Sequence, residues 1–244
     1  MSKKVVIVGG HGNVSLRLTR LLTPKHDVTS IIRDPAHSSD ITAVSAKPHI
    51  LSLEEASPAD FVPIFTGADV VYWSAGAGGK GGEERTKAVD YQGAVKVFDA
   101  LEAVEGPKPR LILVSAIDVR DASKPPPPHY DDSDIAMSER VRKGIPVYML
   151  WKYEADKNLA QRTAFRWTIL RPGGLTNEPG TGKASIGRTH LTPVISRDDV
   201  AKALALLLER DDAATLALDI IGGDTPIEDA LDAAIKKGET DFLY

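Results

Sequence analysis

Val5-Val6-Ile7-Val8-Gly9-Gly10-His11-Gly12-Asn13-Val14-Ser15 is an apolar run that empties into a glycine turn and then into an amphipathic stretch. Lys3 to Val8 is short, β-branched and closed at once by turn residues, the pattern of a strand buried on both faces of a parallel sheet. Asn13 stands where a helix begins, and Val14, Leu18, Leu21 and Leu22 recur behind it at helical spacing. Strand, glycine turn and helix in that order aim the helix N-terminus at the end of the strand. Unpaired amides gathered there attract a pyrophosphate, so Gly9, Gly10, His11, Gly12, Asn13 and Val14 are read as its cradle. Gly10 and Gly12 fill the first two positions of G-x-G-x-x-G, and Ser15 stands at the third, which mainly serves helix packing. Serine is small enough to keep that approach.

The end of the second strand is the next position to carry information. His26 to Ile32 reads as that strand, and Arg33 and Asp34 follow it. An acidic residue there would bind a ribose hydroxyl, whereas a guanidinium suits a 2′-phosphate. Arg33 therefore favours NADP(H) over NAD(H). NAD(H) stays open, because Asp34 takes the hydroxyl role if the register moves by one residue. Arg17, one turn into the first helix, is read as a surface arginine.

Composition narrows the function classes. A chain of 244 residues with 42% hydrophobic residues can bury one large α/β core, and a formal net charge of −4 suits no polyanion. No basic patch with interleaved aromatics is present, so nucleic acid is not an expected partner. The absence of cysteine excludes disulfides and thiolate chemistry. No apolar stretch reaches membrane-spanning length and no signal peptide precedes the first strand, so no membrane partner and a cytoplasmic location are expected. Histidines and carboxylates show no metal-ligand spacing, and no metal is expected.

Further strand-like runs at Pro48–Leu53, Ala68–Trp73, Arg110–Ser115, Trp167–Arg171 and Leu216–Ile221 alternate with helical patterns at Ser57–Phe65, Glu83–Val104, Tyr148–Thr163, Ser196–Glu209 and Thr225–Lys237. Such alternation means a parallel sheet. Ser196 with Asp199, and Thr225-Pro226 with Glu228, read as capping boxes. Lys124 to Pro128, with its four prolines, reads as a stiff surface loop within a single domain spanning residues 1–244.

Ligands of open α/β sheets bind at the carboxyl ends of the strands. Three features converge there. The fourth strand ends in Ser74-Ala75-Gly76-Ala77-Gly78-Gly79, a backbone that can approach a cofactor ribose closely, so Ser74, Ala75 and Gly76 are read as cofactor contacts. The fifth ends in Val114-Ser115-Ala116. Beyond it, Tyr148 and Lys152 lie four residues apart, on one face of a helix. A free tyrosine has a pKa of about 10, and a neighbouring ammonium favours the phenolate, so Tyr148 is expected to exchange a proton with a substrate oxygen near neutral pH. Ser115 would hydrogen-bond the same oxygen, and Lys152 would also hold the nicotinamide ribose. The competing reading makes Tyr148 a core aromatic within Val147-Tyr148-Met149-Leu150-Trp151.

Taken in order, Gly9-Gly10-His11-Gly12, Ile32-Arg33-Asp34, Gly67 to Val71, Val89-Asp90-Tyr91, Val114-Ser115-Ala116, Tyr148 with Lys152, Leu170 to Gly174 and Ser196 to Ala201 resemble an atypical short-chain dehydrogenase/reductase of the nitrogen-regulator-like and epimerase-like NAD(P)-binding branch, of fungal type. The resemblance covers nearly the whole chain. It implies a Rossmann-fold, doubly wound parallel sheet of the α/β class, NADP(H) in the glycine crevice, Pro172 and Gly173 near the nicotinamide, and Ser115, Tyr148 and Lys152 as a reductase triad. Three positions depart from the family pattern: Ser15 for glycine, Asp90 where asparagine is frequent, and the long separation of Ser115 from Tyr148.

The family places its small-molecule substrate between the sheet edge and the segment after the sixth strand, here Gly173 to His190, a glycine-rich stretch that could close as a lid. The substrate-side loops are therefore expected at about 119–147 and 173–190. His129, Arg188, His190 and His11 are read as surface side chains, and Asp131, Asp132 and Asp134 as a solvated helix start. The expected activity is NADPH-dependent reduction of a carbonyl or related group by a monomer or homodimer. A non-catalytic NADP(H)-sensing protein and a sugar epimerase or dehydratase are the alternatives.

Overall fold

In the computed structural model, which describes residues 1–78 and 81–240, the chain runs β1 (Lys4–Val8), α1 (Asn13–Leu22), β2 (Asp27–Ile32), α2 (Ser38–Ala43), β3 (Lys47–Ile50), α3 (Pro58–Phe65), β4 (Val70–Trp73) and α4 (Gly82–Thr86). It continues with α5 (Ala94–Ala103), β5 (Arg110–Val114), α6 (Asp132–Gly144), α7 (Pro146–Ala160), β6 (Trp167–Pro172), β7 (Leu175–Thr176), β8 (Lys183–Gly187), β9 (Ile195–Ser196), α8 (Arg197–Leu207), β10 (Ala217–Pro226) and α9 (Ile227–Lys237). The main sheet has the order β3-β2-β1-β4-β5-β6-β10-β8, parallel except for β8. Chain order reverses direction between β1 and β4, and a crevice opens there at the carboxyl ends of the strands.

Each face of the sheet carries its own core. Ile7, Leu18, Tyr72 and Leu204 pack on one side, and Val8, Phe61, Phe98 and Leu159 on the other. The central strands are apolar throughout because both their faces are covered. β3, by contrast, is exposed along its whole length and closes the sheet at an edge, where Pro48 lacks a donor the ladder would need.

Four local expectations are corrected. The helix expected over Glu83–Val104 is three pieces, α4, a π-helical turn at Lys87–Gly93, and α5. Thr225 and Pro226 belong to β10, with no side-chain cap on α9, so the capping box with Glu228 does not form. Much of Gly173–His190 is not a free lid, because β7 pairs with β9 and β8 with β10. Leu21, counted with the buried stripe of α1, is exposed, while Val14, Leu18 and Leu22 are buried.

A capping box of Ser57 and Asp60, not among the expected start signals, opens α3, while the expected box of Ser196 with Asp199 forms only by half: the Ser196 hydroxyl accepts the Asp199 amide at 3.0 Å. The buried Asp199 carboxylate takes the Ser196 hydroxyl at 3.0 Å and not the Ser196 amide. It accepts the amides of Thr181 and Gly182 at 2.9 and 2.8 Å, tying the loop before β8 to the head of α8.

Candidate functional site

Gly9 turns the chain out of β1 at φ +82°, and a Cβ there would lie 2.7 Å from the Ala75 Cα. A Cβ on Gly10 would meet the Ser30 Cβ at 2.5 Å. The tight turn thus falls on Gly9, one residue earlier than the G-x-G register placed it. Ser15, fully buried, donates its hydroxyl to the Gly9 carbonyl at 2.8 Å, so the residue in the third glycine's place closes the turn with a bond glycine could not make. Gly12 caps α1 with no side-chain hydrogen bond, and no acid occupies the first turn. The amides of Asn13 and Val14 therefore head an uncapped helix that faces the crevice, the donor set an anion requires.

A cleft of about 280 Å³ begins at this turn. Gly9, His11 and Gly12 form one wall, Arg33, Asp34 and His37 a second, and Ser74, Ala75 and Gly76 the floor beside β4. Gly79, at the end of the expected ribose segment, lies outside the described residues. The His11 ring stacks on His37 at 3.6 Å and bonds Asp40 at 2.7 Å, so it is held in place as a wall of the cleft. Arg33 is exposed at the rim and pairs with Glu54 at 3.0 Å, which also takes Arg85 at 3.1 Å. Asp34 also lines the cleft and spends a carboxylate oxygen capping the Ala36 amide at 2.9 Å. Arg17 pairs with Asp198 across the α1–α8 contact, away from this wall.

The second half of the site lies beyond β4 and β5. The π-helical turn directs Asp90 inward, where its carboxylate accepts the Ala77 amide at 2.9 Å and lies 3.3 Å from Lys152 Nζ. Extra residues packed into a helix in this way often mark functional positions. Lys152 is buried on α7, with its ammonium 5.8 Å from the centre of the half-buried Tyr148 ring. Burial pulls the Lys152 ammonium down, but Tyr148, Asp90 and Asp156 outweigh it and raise its pKa. For Tyr148, burial pushes the phenol up; Lys152 opposes, and Asp90 and Asp156 add to the rise. Tyr148 is therefore a weaker acid than a free tyrosine, against the expectation that the neighbouring ammonium tips it toward the phenolate.

Ser115, buried at the carboxyl end of β5, donates its hydroxyl to Asp156 at 2.8 Å. Asp156 lies one turn beyond Lys152 on α7 and is fully buried. Two carboxylates thus contact triad positions, Asp90 at Lys152 and Asp156 at Ser115. The residue type at Asp90 had been noticed, but Asp156 had not, although its place four residues after Lys152 on one helix face was a readable signal. Pro172 and Gly173 are buried at the end of β6, where the Gly173 amide bonds the Ile220 carbonyl at 2.9 Å.

Away from this site, Asp134 is buried and not part of a solvated helix start. It accepts the Leu191 amide at 2.8 Å and pairs with His190 at 2.5 Å, while His129 reaches the Thr189 carbonyl at 3.2 Å. Asp131, Asp134 and His190 bring ligand atoms within 4.8 Å of one another, a histidine and carboxylate grouping that local spacing did not announce. Both Asp134 oxygens already accept protein donors. Among the described residues no helix is long and apolar enough to cross a membrane.

Residues 9–211 match the family model described as NAD(P)H-binding. The chain is similar to a UPF0659 protein of Schizosaccharomyces pombe, 42% identical over 98% of both chains. It is also similar to a Bacillus subtilis protein named as an uncharacterized sugar epimerase, 34% identical over 93% of this chain and 98% of that one. Among solved structures, the oxidoreductase ylbE of Lactococcus lactis superposes with a TM-score of 0.79 at 24% identity, covering 96% of this chain and 97% of the other.

Proposed function

The chain belongs to the NAD(P)H-binding family, and from that premise we propose that it is an NADP(H)-dependent reductase of a carbonyl or related group in a small molecule. The observation that carries this reading is the Tyr148 ring 5.8 Å from the buried Lys152 ammonium, on the helix whose Asp156 bonds Ser115 at the end of β5. A phenol beside an ammonium can give its proton to a carbonyl oxygen while the ammonium stabilises the phenolate left behind, which is what reduction of a carbonyl asks for.

The glycine turn fits a dinucleotide, since Gly9 and Gly10 let the turn close against Ala75 and Ser30 and leave the first amides of α1 without a side-chain cap at the cleft. A reduced nicotinamide held there would supply the hydride for a carbonyl carbon, and Tyr148 would give its proton to the carbonyl oxygen to complete the alcohol. Lys152 stabilises the tyrosinate left behind, and Asp90 fixes the ammonium. Arg33 and Arg85 share the carboxylate of Glu54, which holds the Arg33 guanidinium at the rim of the cleft, where it would meet a 2′-phosphate.

One observation favours a second reading. Ser115 directs its hydroxyl hydrogen at Asp156, which withholds it from a substrate and suits a protein that senses NADP(H) without turning it over. The Bacillus subtilis relative's name adds epimerisation as a third outcome.

Separate calorimetric titrations with NADPH and NADH test the reading, with the Arg33→Ala variant alongside. NADPH is expected to bind more tightly, with that preference reduced about tenfold or more in Arg33→Ala, a loss in the range of charge-assisted hydrogen bonds. Oxidation of NADPH by dicarbonyl probes would then separate reductase from sensor. Binding of neither cofactor would remove the reductase and sensor readings together.

A further inference from the structure

Asp156 is a fully buried carboxylate with no counterpart in the triad logic. Its Oδ2 accepts the Ser115 hydroxyl at 2.8 Å, and its Oδ1 has no hydrogen-bond partner among the described residues. An ionised carboxylate buried with one oxygen unpaired is disfavoured relative to the neutral acid, which needs fewer donors and carries no charge. The groups that face it come from every element packed around it. Lys152 and Tyr148 approach along α7, Ser115 from β5, and Arg171 from β6, with Arg171 itself held by Asp219 of β10 at 3.4 Å. Asp90 stands behind Lys152 on the π-helical turn.

Ser115 has one hydroxyl hydrogen and cannot give it to two acceptors at once. Resting on the reductase reading above, we propose that Asp156 is a positioning residue that sets the hydrogen-bond polarity of Ser115. As a carboxylate it takes the Ser115 hydrogen and leaves the substrate oxygen to Tyr148 alone. As a carboxylic acid it donates to Ser115 Oγ, and the Ser115 hydrogen is released toward the substrate oxygen. No proton leaves Asp156 during turnover. The proton that completes the alcohol comes from Tyr148, and Asp156 decides only whether a second donor is present.

The relevant pH is physiological. Burial pushes the Asp156 carboxyl up to about 6, against the opposing pull of Arg171, the Ser115 hydrogen bond and Lys152. The acid form therefore dominates below that value and the carboxylate above it.

Two measurements on the full-length chain test the assignment. In the first, the side-chain carboxyl carbons of isotope-labelled aspartates are followed by NMR against pH, with the Asp156 resonance identified by its loss in Asp156→Asn. The resonance is expected to titrate near 6, and Ser115→Ala, which removes a donor to the carboxylate, is expected to raise that midpoint. If Asp156→Asn does not fold, Asp156→Glu, which keeps a carboxyl but removes the labelled aspartate, identifies the resonance instead. Titration in the ordinary carboxylate range, or a midpoint indifferent to Ser115→Ala, overturns the proposal whether or not the protein turns over.

The second measurement is kcat/KM for phenanthrenequinone with saturating NADPH. In the wild type it should fall by about tenfold per pH unit above the step, as for one ionisation, until it reaches the level of Ser115→Ala. Asp156→Asn, whose amide can donate permanently to Ser115, should abolish the fall and exceed the wild type well above the step, with KM for NADPH unchanged. A uniform loss with the pH dependence intact would mean a structural role and would sink the proposal. No turnover by any variant, together with a carboxyl that titrates near 6 and responds to Ser115, would remove the reductase reading while leaving the Asp156–Ser115 switch in place.

Discussion

Gly9, Ser15 and Tyr148 show how far one side chain's chemistry carries. At Gly9 the constraint is steric and was visible in the strand-turn-helix order, although the register of the turn was not, because only the position of Ala75 shows which glycine must lack a Cβ. At Ser15 the departure from glycine is compensated by the hydroxyl bond to the Gly9 carbonyl. At Tyr148 the helical spacing to Lys152 was legible, but the direction of its proton affinity was not, since burial and two carboxylates lie on the rising side. Replacing Tyr148 with phenylalanine removes the acid while keeping the ring. We expect kcat for carbonyl reduction to drop by about a hundredfold or more, as for loss of a general acid, with the NADPH dissociation constant within a factor of about two. Stopped-flow turnover and calorimetry on the same preparation check both halves.

At the scale of elements, the π-helical turn and the segment from Gly173 to His190 are where local patterns misled. An apolar repeat cannot report an inserted residue, yet that insertion is what turns Asp90 toward Lys152. Glycines in the later segment suggested mobility, while Asp199 fastens its middle to α8 and Asp134 its end to α6. The hydrogen bond and charge of Asp134 raise the pKa of His190. A raised histidine pKa contributes stability that is present below its unfolded value of about 6.5 and is lost as pH rises through the higher folded value. The net lowering at Asp134 arises although burial opposes it, because His190 and the Leu191 and Asp131 amides prevail; that contribution is lost as pH falls through the depressed value. The pair is therefore most stabilising in mildly acidic solution. His190→Gln should lower the melting temperature near pH 6 and differ little from the wild type once pH has passed above the raised histidine value. Because His190 is more than half exposed, the effect should be modest and should shrink in salt.

For the whole molecule, the doubly wound order of the sheet places the crevice between β1 and β4, and the cleft found there joins residues from β1, β2, β3 and β4 or the loops that follow them. A ligand bridging those segments stabilises the native state as a unit. NADPH at a hundred times its dissociation constant should add about 2.7 kcal/mol. For a chain of this size that corresponds to a rise in melting temperature of roughly 5–10 °C, and a scanning-calorimetry shift near zero at that saturation would contradict binding in the glycine crevice. The amino-acid sequence by itself determined the α/β class, the order of most strands and helices, the glycine turn and the positions of Arg33, Ser115, Tyr148 and Lys152, because periodicity and turn chemistry are local properties of the chain. Only the tertiary structure decided the partners of those side chains: Glu54 for Arg33, Asp90 for Lys152, Asp156 for Ser115 and His190 for Asp134. All four of those contacts join residues far apart in the chain, so no local pattern announces them. Their proton affinities follow from burial that exists only once both faces of the sheet are covered.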